Sequence, residues 1–191
     1  YKMIIDRLKV LSLWKECEIK AARITEMKHL ADIIAGYRAQ FYDPVEKATG
    51  VPWYVVGAID CREEDFKHGS YLGNGDPLYR VTTHVPRGRG PFSSWYAGAI
   101  DAFHLDGMNQ LPAGGHWDIV TALIKCEGYN GLGYASKGLP SPYVWGGTNI
   151  QQAGKYTSDG HFSSTTWDTQ PGVAAMLLAL KQFHGVDLSE A

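Results

Sequence analysis

The sequence predicts a mostly α-helical fold with two long irregular segments and a small β-hairpin. Apolar residues recur at helical spacing in several stretches, whereas Gly, Pro, Asn and Ser accumulate in two stretches that lack periodicity. The chain has 191 residues, enough to bury a core, and no repeat or linker divides it. We therefore expect a single domain over residues 1–191.

Two amphipathic helices are predicted near the N-terminus, over residues 2–14 and 19–41, followed by a short helical turn over residues 43–48. The next helix is predicted to begin near Thr49 or Gly50 and to end at Glu63, with Pro52 in its first turn.

Residues 66–91 have little periodicity and are predicted to form a loop with a short hairpin around residues 79–85. Helical spacing returns at residues 92–105, where Ser93 or Ser94 can cap, and at residues 117–127. We expect both helices to pack around the Glu63 helix. A second irregular region follows over residues 128–167, and the last helix is predicted from residue 171 to 184.

Composition excludes several classes of function. The net charge of −2 argues against nucleic acid as a partner, and no apolar run is long enough for stable membrane insertion. The N-terminus carries Asp6, Arg7 and Lys9 among its apolar residues, so we expect no signal peptide. The three cysteines are too dispersed for a disulfide framework, which favours a reducing compartment, although a Cys61–Cys126 pair stays open.

The common signatures of metal, nucleophilic and phosphate chemistry are absent from the sequence. It has no HExxH, CxxC, G-x-S-x-G or phosphate-loop pattern, and its seven histidines are scattered. We therefore expect no metal and no cofactor. Acid catalysis by a carboxyl group, the chemistry of glycoside cleavage, is the mode that remains.

Glu63 is the first candidate for this acid. It shares a helical face with Val56 and Ile59, whereas Glu64 follows Trp53 and Gly57 on another face. We expect Glu63 to point inward, where burial and the negative end of the helix would raise its pKa. An internal salt bridge with an arginine is the structural alternative.

The segment Ala58-Ile-Asp-Cys-Arg-Glu63 resembles the A-I-x-x-R-E segment of goose-type lysozymes. Likewise, Gly128-Tyr-Asn-Gly131 resembles a motif that these enzymes and lytic transglycosylases place after a helix. The wider pattern is similar to a lysozyme family of phages and bacteria, over roughly residue 49 to the C-terminus, and leaves the N-terminal helices of residues 1–48 outside it. Its other motifs are Asn74-Gly-Asp-Pro-Leu78, Val85-Pro-Arg-Gly-Arg89, Ser141-Pro-Tyr143 and Gly154-Lys-Tyr156.

This resemblance implies a lysozyme-like domain that cleaves the β-1,4 bond between N-acetylmuramic acid and N-acetylglucosamine. Glu63 would be the general acid, peptidoglycan strands the partner, and the protein a monomer. A phage endolysin would accumulate in the host cytoplasm before its release to the cell wall. Two alternatives stay open: a lytic transglycosylase, and a non-catalytic peptidoglycan-binding or phage structural protein.

Asp76 is the expected second carboxylate, ahead of Glu64 and Asp65. An inverting hydrolase needs its base about 6.5–9.5 Å from the acid, which favours a residue of the loop over a helical neighbour. Thr83 and His84 lie in the same loop and are candidates to orient a water molecule. The structural alternatives are an Asx turn for Asp76 and hairpin pairing for the other two.

Four further residues are candidate substrate contacts. Tyr129 would hydrogen-bond Glu63 or a sugar acetamido group, with a core position satisfied by the backbone as the alternative. Asn130 would bind substrate or shape a turn. Tyr143 and Trp145 would stack on saccharide rings, with packing against the neighbouring prolines as the alternative.

Overall fold

The computed structural model describes residues 5–112, 114–158 and 160–189. In this part of the chain the fold is mostly helical, with one small antiparallel sheet, which confirms the predicted fold class. The helices are α1 (Arg7–Lys15), α2 (Ile24–Tyr37), α3 (Asp43–Thr49), α4 (Trp53–Glu64), α5 (Trp95–Leu105), α6 (Ile119–Asn130), α7 (Pro142–Trp145) and α8 (Val173–His184). The strands are β1 (Lys155–Ser158) and β2 (His161–Ser163).

The short hairpin lies at β1 and β2, so the prediction of a hairpin at residues 79–85 was wrong. Residues 79–85 contain turns and no strand. Thr82 donates its backbone N–H to the carbonyl of Arg89 and accepts the N–H of Gly88, which closes a compact turn instead of a ladder. Pro86 lies inside this turn and has no N–H to pair.

Helix ends follow the capping residues of the sequence. Asp6 accepts N–H groups at the start of α1, Ser94 at the start of α5, and Asp118 at the start of α6. Gly50 ends α3 in a left-handed conformation, so it is a C-cap and not the N-cap expected for α4. The helix expected to end at residue 127 continues to Asn130.

The chain forms two compact units. The first contains the described residues of 1–33 and 118–191. In it, α6 packs against α1, α7 and α8, and the buried apolar face of α8 supplies much of the core. Arg7 of α1 pairs with Asp118 at 2.7 Å, which ties α1 to the start of α6.

The second unit contains residues 34–117. Here α2 continues into a π-helical turn, Arg38–Tyr42, and α3 packs against this turn, α4 and α5. Gly57 of α4 allows Ile34 and Tyr42 to approach the helix backbone, since an added Cβ would lie 2.5 Å from Ile34 and 2.9 Å from Tyr42. Among the helices described, none is long and apolar enough to cross a membrane.

Candidate active site

The last turn of α4 carries two adjacent carboxyl groups with opposite environments. Glu63 is exposed, whereas Glu64 is buried with 4 % of its surface accessible. The expectation that Glu63 points inward was therefore wrong. The reason is that α4 is buried on nearly every side, so the face that it shares with Val56 and Ile59 was not the only inward face.

Glu64 has the buried environment that was predicted for Glu63. Its pKa is raised to about 7, first because burial disfavours the charged form and second because Asp60 adds like charge. Ser70, His68 and Trp95 act in the opposite direction. Both carboxyl oxygens are inaccessible, and neither has a hydrogen bond of good geometry to another described residue. Glu64 is therefore a neutral acid below about pH 7.

Asp60 lies one turn before Glu64 and is completely buried. Its Oδ2 accepts a hydrogen bond from the Tyr42 hydroxyl at 2.7 Å and lies 2.8 Å from Nε2 of His68. Burial raises the pKa of the Tyr42 hydroxyl far above its ordinary value, and the negative charge of Asp60 raises it further. These contacts explain why a polar residue occupies an inward face of α4.

His68 is held between Asp60 and an aromatic wall. Its ring stacks on Phe41 with centroids 3.9 Å apart and meets Trp95 edge-on at 4.9 Å. The backbone of Asp65, Phe66 and His68 has positive φ values of 52°, 61° and 49°, which residues with side chains seldom adopt. The chain therefore leaves α4 through a sharp left-handed turn that returns His68 to Asp60.

Both carboxylate oxygens of Asp76 have polar contacts within the loop. Its Oδ2 accepts the backbone N–H groups of Thr83 at 2.6 Å and His84 at 2.9 Å, and its Oδ1 lies 2.5 Å from Nδ1 of His84. These contacts lower the pKa of Asp76 to about 2. The structure thus brings together the three predicted residues Asp76, Thr83 and His84, in an arrangement that fixes the loop and occupies the carboxylate. An Asx turn in this loop is made by Asn74, which accepts the N–H of Asp76, and not by Asp76 itself as the structural alternative had it.

The remaining predicted contacts lie in the first unit. Tyr129 is partly exposed and Asn130 exposed, both on the last turn of α6 and not in a loop after it. Their expected proximity to Glu63 stays a prediction. Tyr143 and Trp145 are buried in α7, with 3 % and 4 % exposed, so the prediction that they offer stacking faces was wrong and packing is their role.

Glu127 was not predicted. It lies on α6 with 7 % of its surface exposed, and burial raises its pKa to about 7 against a weaker opposing effect of Ser141. The signal was present in the sequence, since Val120 and Leu123 precede Glu127 by seven and four residues on one apolar face. Only the Tyr-Asn-Gly end of this helix was predicted to contact substrate.

The cysteines and possible metal ligands can also be placed. Cys17, Cys61 and Cys126 are buried thiols and form no disulfide, so the open pairing of the last two does not occur. Within residues 5–112, 114–158 and 160–189, no group of three or more His, Cys, Asp or Glu side chains is arranged to hold a metal ion.

Comparisons with protein-family models, with curated proteins and with solved structures found no significant match to this chain.

Proposed function

We propose that this protein degrades peptidoglycan, cleaving the β-1,4 bond between N-acetylmuramic acid and N-acetylglucosamine with Glu63 as the general acid. The resemblance of the ordered motifs to a lysozyme family motivates the proposal. The observation that carries it is that Glu63 is an exposed residue at the end of α4. A proton donor must come within hydrogen-bond distance of the glycosidic oxygen, and an exposed group can do so.

Glu64 is the competing acid on α4. Its raised pKa suits proton donation near neutrality, but both of its oxygens are inaccessible. A polysaccharide cannot reach them without rearrangement of the surrounding side chains. Access therefore favours Glu63, and Glu64 serves as a neutral neighbour below about pH 7.

The hydrogen bonds of the Asp76 carboxylate favour a second candidate function, lytic transglycosylation. A hydrolase of the inverting type needs a carboxylate that can accept a proton from water. Both oxygens of Asp76 already contact Thr83 or His84, and its low pKa makes it a weak base. In a transglycosylase the sugar's own C6 hydroxyl attacks, so the reaction needs no second carboxylate.

Substitution of Glu63 by Gln tests the acid. Clearing of a peptidoglycan suspension should slow by at least about 10²-fold, the ordinary contribution of a general acid, while sedimentation with peptidoglycan persists. Glu64→Gln is the matched control and should retain most of the activity at pH 6. Loss of lysis in the Glu64 variant together with retention in the Glu63 variant would overturn the assignment to Glu63.

The products separate the two reactions. Mass spectrometry of the soluble fragments should show reducing ends for hydrolysis and 1,6-anhydro ends for transglycosylation. If the unmodified protein binds peptidoglycan and releases neither product, the enzymatic proposal is wrong and the non-catalytic alternative replaces it.

A further inference from the structure

A pocket of about 200 Å³ lies within the first unit, among α1, α6 and α7. Its walls are mostly apolar side chains, including Val10, Leu13, Leu123, Val144 and Trp145. Every residue that lines it belongs to the first unit, so its shape is defined by the packing of that unit.

Glu127 is the buried charged residue among the mostly apolar walls of this pocket. Its side chain lines the pocket, yet Oε1 is buried and has no hydrogen-bond partner among the described residues. Ser141, which also lines the pocket, lies close enough to interact with the carboxyl group. A buried polar oxygen without a partner is unfavourable, so a ligand that donates a hydrogen bond here relieves a cost already present in the fold.

The volume defines the size of the ligand. A cavity of about 150 Å³ holds a benzene ring, so a pocket of about 200 Å³ holds one ring or a short alkyl chain with a small polar group. The single unpartnered carboxyl oxygen defines its polar end. An anionic ligand would meet like charge at Glu127, whereas an ammonium group forms a charge-assisted hydrogen bond, which is stronger than a neutral one.

We propose that this pocket binds a small hydrophobic amine, with its apolar part among the walls and its ammonium group on the carboxylate of Glu127, whose Oε1 must turn toward the pocket to accept the hydrogen bond because it is inaccessible in this structure. The other charged residues that line the pocket are Asp6 and Lys9, both exposed on or beside α1. Their opposite charges largely offset each other at its edge. The proposal is independent of glycosidase activity, and so is its test.

Calorimetric titration with benzylamine and with benzyl alcohol tests the site, because the two ligands share a ring and differ in charge. At pH 8 the amine should bind at least tenfold more tightly than the alcohol. Between pH 6 and pH 8 the ionised fraction of a group with a pKa of about 7 rises about tenfold, and the affinity for benzylamine should rise with it. The affinity for benzyl alcohol should change little.

Three variants complete the test. Glu127→Gln should weaken benzylamine at least tenfold at pH 8 and leave benzyl alcohol nearly unchanged. Ala135→Phe, which fills the pocket from its wall, should weaken both ligands and keeps the test decisive if the Gln variant fails to fold. Glu16→Gln, at an exposed position after α1, should change neither. Equal affinities for the two ligands, full benzylamine affinity in a folded Glu127→Gln protein, or no saturable binding to the unmodified protein would each overturn the proposal.

Discussion

Ionisation of the buried Glu64 is expected to lower the stability of the protein as pH rises. Replacement of Glu64 by glutamine should remove this loss. In the folded protein the pKa of Glu64 is about 7, against an ordinary value of 4.5. Between these values the folded state keeps a proton that the unfolded chain has released. The contribution of Glu64 to stability is therefore fully present below about pH 4.5 and is lost as pH rises through about 7.

The size of this effect follows from the same pKa difference. Each pKa unit corresponds to about 1.4 kcal/mol, so a rise from 4.5 to about 7 corresponds to about 3 kcal/mol of unfolding free energy. Glutamine has a similar shape and no ionisable proton. The pH 5 to pH 8 window covers most of this range, so the free energy of unfolding of Glu64→Gln, relative to the unmodified protein, should increase across it by about 2 to 3 kcal/mol.

Urea unfolding at pH 5, 6, 7 and 8, followed by tryptophan fluorescence, measures this difference. Glu63→Gln is the control for the chemical change itself, because it removes a carboxyl group at the exposed neighbouring position. A Glu64→Gln protein whose stability runs parallel to the unmodified protein across this range would refute the reasoning.

Two further predictions concern close packing and loop anchoring. Gly57→Ala should destabilise the protein by about 1–3 kcal/mol in urea unfolding, because the new Cβ would lie 2.5 Å from Ile34, whereas Gly36→Ala, in open space on α2, should not. Asp76→Ala removes the acceptor that holds two backbone N–H groups of the loop, so limited trypsin digestion should cut within residues 80–89 faster than in the unmodified protein. An unchanged cleavage rate there would contradict the anchoring role.

Helical periodicity and capping residues were enough to predict most of the helices. Ser94 was expected to begin a helix and does so at α5, because its hydroxyl supplies the acceptor that the first turn needs. The end of α3 was predicted to within one residue, but Gly50, expected as a possible cap of the next helix, instead ends α3. Glycine is compatible with both positions, and only the left-handed φ of 74° decides between them.

The site was less predictable because α4 is buried on nearly all sides. Periodicity identifies an inward face only when the opposite face is polar and solvated. Asp60 made one face of α4 look polar in the sequence, but Tyr42 and His68 contact its Oδ2 inside the protein. Glu64 is buried one turn after Asp60, near His68, Ser70 and Trp95, which lie outside α4 and which the periodicity of the helix does not reveal.

Stacking roles for Tyr143 and Trp145 failed for a related reason. Aromatic residues serve cores and carbohydrate surfaces equally well, and their side chains do not distinguish the two. In this chain, Ser141 begins the short helix α7, and both rings turn into the interior of the first unit. The position of the hairpin was also missed. It depends on the pairing of β1 with β2, which the composition of the two irregular segments does not reveal.

The left-handed turn after α4 costs conformational free energy at the end of the helix that carries Glu63 and Glu64. Asp65, Phe66 and His68 each adopt a conformation that costs a residue with a side chain about 1–2 kcal/mol. Glycine at Asp65 would ease this cost, but it would also loosen the direction in which the chain departs. The protein thus trades part of its folding free energy for a fixed orientation at the point where its acidic helix ends.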